Sequence, residues 1–105
     1  MNAEKANPFA ELDPLIHTPA RLNIMTQLYV VESADYIFLK NLTDLTWGNL
    51  SAHAAKLAEA GYLEIEKSIV NKKTHTVAKL TKKGRQALET YRKRMMELLE
   101  KKSSG

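Results

Sequence analysis

The 105-residue chain contains no cysteine. Disulfides and thiolate metal sites are thereby excluded, and a reducing, cytoplasmic setting is expected. Only four glycines and three prolines occur. No glycine-rich phosphate loop is present, nor any Gly-x-Ser-x-Gly or His-Glu-x-x-His motif, so neither an enzyme nor a bound cofactor is expected. The three histidines, His17, His53 and His75, lack the spacing of a metal site within one helix, and no metal is expected. Apolar runs are only a few residues long, far short of the ~20 needed to cross a bilayer, so no membrane partner is expected. Residues Met1 to Phe9 lack the basic start and apolar stretch of a secretion signal.

What is present suits one small domain. Hydrophobic residues make up 44% and charged residues 27% of the chain, enough for a single core spanning residues 1–105 and too little for two. The net charge of +4 conceals an asymmetry: residues 1–64 carry four Lys/Arg against eight Asp/Glu, and residues 65–105 carry twelve against four. The basic second half has the charge to attract phosphates, although a solvated basic helix gives the same composition.

Residues 1–7 are polar and expected to fray. Phe9, Leu12, Leu15 and Ile16 are spaced for one face of a short helix over 8–17, with Pro14 in its first turn. Thr18-Pro19 is a strong helix start, and Leu22, Met25, Leu28 and Tyr29 continue the helical period to about Glu32, where Ser33-Ala34-Asp35 ends it. Tyr36-Ile37-Phe38 suits a small strand. A short helix over 38–44 follows, with Leu39, Leu42 and Leu45 inward. Thr46 then caps a helix over 47–60 whose inner face is Leu50, Ala54, Leu57 and Ala58, and Gly61 stands where a helix-terminating glycine belongs. From Leu63 the period falls to two. A strand, a polar turn at Asn71-Lys72-Lys73, and a second strand over 74–80 predict a hairpin. Thr81 caps a last helix over about 82–101, with a loose tail after it. Two helices joined by a tight turn and followed by a hairpin describe a mainly α fold with a β-hairpin wing (α+β), the winged helix-turn-helix.

The segments Thr46-Trp47-Gly48-Asn49-Leu50-Ser51-Ala52-His53 and Lys56-Leu57-Ala58-Glu59-Ala60-Gly61-Tyr62-Leu63 resemble the recognition helix of small winged-helix regulators related to the MarR and ArsR families. Leu80-Thr81-Lys82-Lys83-Gly84-Arg85 resembles the segment after the wing in the same proteins. The resemblance covers roughly residues 12–100 and implies a transcriptional regulator that binds double-stranded DNA. Trp47 departs from it, standing where an acidic residue is more usual.

The expected DNA-binding residues are Thr46, Trp47, Asn49, Ser51, Ala52, His53 and Lys56 on the recognition helix, with Lys72 and Lys73 at the wing tip. Small residues let a helix approach the major groove, Asn can pair with adenine, and Ser and Lys reach phosphates or base edges. An ordinary solvated helix face and an aggregation-resistant hairpin would use the same residue types. Trp47 either packs on the preceding helix or touches DNA. On the last helix Leu88, Tyr91, Met95 and Leu98 follow the spacing of a coiled-coil seam. With Phe9, Leu12 and Ile16 they are expected to join two chains into a homodimer, because so small a domain has little with which to cover them. The expected function is a sequence-specific duplex-DNA regulator of the repressor type. The alternative is a winged-helix protein-interaction module without DNA binding, since a fold does not dictate a function. RNA binding is disfavoured by the lack of sheet aromatics to stack bases. Nothing in the sequence designates a small-molecule effector.

Overall fold

The computed structural model describes residues 7–104, with side chains to residue 101. The fray expected of residues 1–6 lies outside them. A 3-10 turn, Pro8–Glu11, is capped by Asn7. Four helices follow: α1, Pro19–Val31; α2, Tyr36–Thr43; α3, Trp47–Glu59; and α4, Lys82–Ser104. The strands are β1, Ser33–Asp35; β2, Leu63–Val70; and β3, Lys73–Leu80. They form one antiparallel sheet in the order β1-β3-β2.

Short polar side chains set the helix starts. Thr18 accepts from the Arg21 amide with Pro19 in the first turn, Asp35 from the Phe38 amide, Thr46 from the Asn49 amide, and Thr81 from the Gly84 amide. The inward residues Ile16, Ile24, Met25, Leu28, Leu39, Leu50 and Leu57 are fully buried. Each contributes roughly 1.5–3 kcal/mol through removal from water.

Several expectations are corrected. Residues 8–17 do not form a helix. Asp13 precedes Pro14, which disfavours helical backbone there. The Asp13 carboxylate takes the Leu15 amide at 2.9 Å and its carbonyl takes the His17 amide at 2.8 Å, closing a turn instead. The small strand lies at Ser33–Asp35, not at Tyr36–Phe38. Glu32 adopts φ 70 and turns the chain along β3, pairing Ala34 with Ala78. Asp35 then caps α2 two residues earlier than expected. That phase buries Leu39 and Thr43 and leaves Leu42 45% exposed. Thr43 donates its hydroxyl to the Leu39 carbonyl at 2.7 Å, so its burial leaves no polar group unmatched. The last helix continues to Ser104 instead of ending at Lys101.

The residues assigned to a dimer seam also turn out differently. Leu12, Ile16, Leu88, Tyr91 and Leu98 are buried within one chain, and Phe9 and Met95 pack against that core. The N-terminal segment supplies the cover the sequence did not reveal: the 3-10 turn packs along α4, and Leu12 and Ile16 enter the same core. The Tyr91 hydroxyl lies 2.7 Å from His17 Nδ1, and Arg94 binds Glu11 at 2.5 Å. What α4 leaves outward is the neighbouring strip, Met96 and Leu99, which faces solvent as Val30 does on α1.

Candidate nucleic-acid interface

α3 is anchored along one face and at both ends. Leu50, Ala54 and Leu57 are fully buried. At its C-terminus Gly61 takes φ +84 and donates to the Ala58 carbonyl at 2.9 Å, while the Tyr62 amide donates to the Leu57 carbonyl at 2.9 Å. This is the Schellman arrangement, which requires positive φ at the glycine. Thr81 ties that end to α4. Its hydroxyl donates to the Gly61 carbonyl at 2.6 Å and accepts from the Gly84 amide at 3.0 Å. A Cβ on Gly84 would stand 2.2 Å from the Tyr62 carbonyl oxygen. The Leu-Thr-x-x-Gly segment thus has a physical role: it lets α4 begin directly against the end of α3.

The outer face of α3 is small and polar. Thr46, Asn49, Ser51, Ala52 and Lys56 are exposed, and a Cβ on Gly48 would meet nothing within 4 Å. Trp47 is 52% exposed, with the Lys40 ammonium 5.2 Å from its ring centre; α2 and α3 therefore share a cation–π contact. Of the two roles weighed for Trp47, the packing is present as this contact with Lys40 of the preceding helix, and the residue keeps an exposed side. His53 lies at the margin of the face, half-buried. Its Nδ1 is 3.2 Å from Arg21 Nη1. Burial foremost, and then the cations Arg21 and Lys56, hold its pKa below the ordinary histidine value.

β2 and β3 form the wing. Asn71 and Lys72 have φ 51 and 64, the two consecutive positive values of a two-residue hairpin turn. Lys73 is paired with Val70 as the first residue of β3, not part of the turn as expected. Lys72 and Lys73 are both exposed, together with Ile69 and Val70. The exposed α3 residues and the wing lysines occupy two separate elements joined through the Tyr62–Leu63 corner.

Reading the sequence did not find Arg21 and Lys40 as parts of this region. Both act across element boundaries, on His53 and Trp47, and no local pattern marks such pairs. His17 is the hydrogen-bond partner of Tyr91, a contact that no local pattern marks either. Among the described residues no group of three or more His, Cys, Asp or Glu is placed to hold a metal, and no helix is long and apolar enough to cross a membrane.

The comparisons agree with this geometry. A family model described as a winged helix DNA-binding domain matches residues 20–99. An uncharacterised protein of Methanocaldococcus jannaschii is 34% identical over 84 residues, covering 80% of this chain and 91% of the relative. Among solved structures, the transcriptional regulator homologue from Pyrococcus horikoshii OT3 superimposes with a TM-score of 0.80 at 23% identity, covering 94% of this chain and 96% of that one. NadR, solved in complex with 4-hydroxyphenylacetate, superimposes with a TM-score of 0.67 at 20% identity, covering 97% of this chain and 74% of that one.

Proposed function

The chain belongs to the winged helix DNA-binding domain family, and from that premise we propose that it is a sequence-specific transcriptional regulator that occupies duplex DNA as a homodimer and represses. The family is one of DNA-binding proteins and not of enzymes. The observation that carries the proposal is the outer face of α3. Its inner face is fully buried and its end is locked by Gly61 and Thr81, so Asn49, Ser51, Ala52 and Lys56 are presented on a rigid support. A helix so held enters the major groove, and exposed wing lysines reach phosphates beside it.

The homodimer would use the strip beside the buried α4 residues: Met96 and Leu99, with Met95 at its edge and Val30 from α1. A 23-residue helix is about 34 Å long, and the chain extends 58 Å along its longest axis. Leu98 seats the distal turns of α4 on the core, and the outward side of those turns is the surface offered to a second copy. Two recognition helices would then read half-sites about one helical turn, ~10 base pairs, apart.

Selection of duplexes from a random pool tests the proposal. A pseudo-palindromic consensus is expected, and Asn49→Ala should relax it at one position per half-site by about 1–3 kcal/mol of discrimination. Equal weak binding to all duplexes would rule out sequence-specific regulation, and no binding to any duplex would leave the protein-interaction module.

A further inference from the structure

We propose that Arg21 is a positioning residue that fixes His53 as a neutral ring protonated on Nε2, so that His53 acts as an uncharged donor to an acceptor on a base edge. The inference rests on the placement of α3 in the major groove. Its geometry begins at Arg21 in the first turn of α1. There Nε donates to the Leu15 carbonyl at 2.6 Å, which aims the guanidinium toward α3. Nη1 of the same group lies 3.2 Å from His53 Nδ1. A guanidinium carries donors only. The contact is a hydrogen bond only if Nδ1 presents its lone pair, so the ring hydrogen of the neutral form sits on Nε2.

Protonation of the ring would turn an N–H toward the N–H groups of a cation. The charged groups bearing on His53 are Arg21 from α1 and Lys56 from α3, both positive. The 13–18 turn contributes the Leu15 carbonyl, which is already taken by Arg21. These neighbours oppose the imidazolium. A histidine meant to grip phosphate gains from its charge, whereas this one has its charge withheld and its single donor defined. An uncharged donor suits the acceptors of the major groove: purine N7, guanine O6 or thymine O4. Asn49 stands one helical turn earlier on the same helix and is exposed, so the two side chains lie along one line of bases.

Long-range proton–nitrogen correlation spectra of the free chain test the tautomer without DNA, the His53 ring being assigned by its loss in His53→Gln. Nε2 should be protonated and Nδ1 bare at neutral pH. In Arg21→Met the His53 titration midpoint should rise toward the ordinary histidine value and the tautomers should mix. The spectrum of the unsubstituted chain decides the tautomer even if that variant does not fold. On a selected duplex, His53→Ala should weaken binding about tenfold or more, with affinity for unrelated duplex nearly unchanged. A protonated Nδ1 overturns the tautomer, and a midpoint and tautomer ratio that do not move in a folded Arg21→Met overturn the positioning role of Arg21. Equal losses on selected and unrelated duplexes place His53 on a phosphate and overturn its reading of bases. Failure of the unsubstituted chain to bind any duplex overturns the functional premise and the base-reading role together, and is distinguishable because the tautomer is measured on the free protein.

Discussion

α3 and α4 are both amphipathic helices that bury one face in the same core, yet they leave opposite chemistries outside. α3 buries Leu50, Ala54 and Leu57 and presents Asn49, Ser51, Ala52 and Lys56. α4 buries Leu88, Tyr91 and Leu98 and still presents Met96 and Leu99. A hydrated face of small polar side chains is suited to a charged, hydrated partner, and it loses little by standing in water alone. The apolar pair Met96 and Leu99, set among exposed Arg92, Lys93 and Glu97, does lose by standing in water, and large exposed apolar patches mark contacts between proteins. On the proposed function, the contrast divides the molecule into an end that would read DNA and an end that would assemble.

The sharpest break comes from exchanging inside for outside on one helix. Leu57→Ala, in the fully buried row of α3, should lower unfolding stability by about 2–5 kcal/mol. Ser51→Ala on the exposed face should change it by no more than ~0.5 kcal/mol while altering DNA binding. Denaturant melts of the two variants check both statements. A stability loss at Ser51 comparable to that at Leu57 would mean that the outer face is structural.

The assembling end is tested by Val30→Glu combined with Met96→Glu. Both sites are exposed, at 79% and 49%, so the fold should persist. Burial of each apolar side chain against a partner contributes roughly 1.5–3 kcal/mol, and a carboxylate there opposes it. Light scattering should report a dimer for the unsubstituted chain and a monomer for the variant. A monomer in both cases would remove the assembly role from α4.

At the reading end a smaller effect is expected from the wing. Lys72→Ala with Lys73→Ala should weaken binding to all duplexes alike. The slope of log affinity against log salt should flatten by about 0.9 for each phosphate that is no longer neutralised. An unchanged slope would take the wing out of the interface.

The smallest effect concerns the support between the two ends. The Tyr62 hydroxyl donates to the Asp13 carboxylate, and burial foremost, then this bond and the carboxylate's charge, push its pKa up to about 12. The folded value exceeds the unfolded one, so the stabilising contribution is complete below pH ~10 and is lost as pH rises through about 12. Burial also raises the pKa of Tyr36 and Tyr91, so phenolate absorbance should show several late tyrosines, of which the one at about 12 moves earlier in Asp13→Asn. A titration unchanged by that substitution would detach Tyr62 from Asp13.

Much of the architecture was legible because it is written in local chemistry. Thr18, Thr46 and Thr81 mark helix starts through their hydroxyls, Gly61 marks an end through its φ, and the change of period after Gly61 marks the hairpin. The elements misplaced were those whose identity is decided elsewhere. Ser33–Asp35 is a strand only because β3 offers it an edge. Leu12 and Ile16 join the chain's own core only because the segment over 8–17 folds back along α4. The shared exposed face of Asn49, Ser51, Ala52 and Lys56 was legible from the helical period, whereas the Arg21–His53 contact was not, since it joins residues 32 apart on different helices.

The central claim is that α3 and the wing meet DNA while the distal turns of α4 do not. Amide chemical-shift mapping of the labelled chain with a duplex enriched from the random pool tests it directly. Saturable shifts concentrated over residues 46–56 and 70–74, with residues 95–101 unmoved, are the predicted result. Shifts centred on α4 with α3 silent, or the absence of saturable binding at low salt, would contradict it.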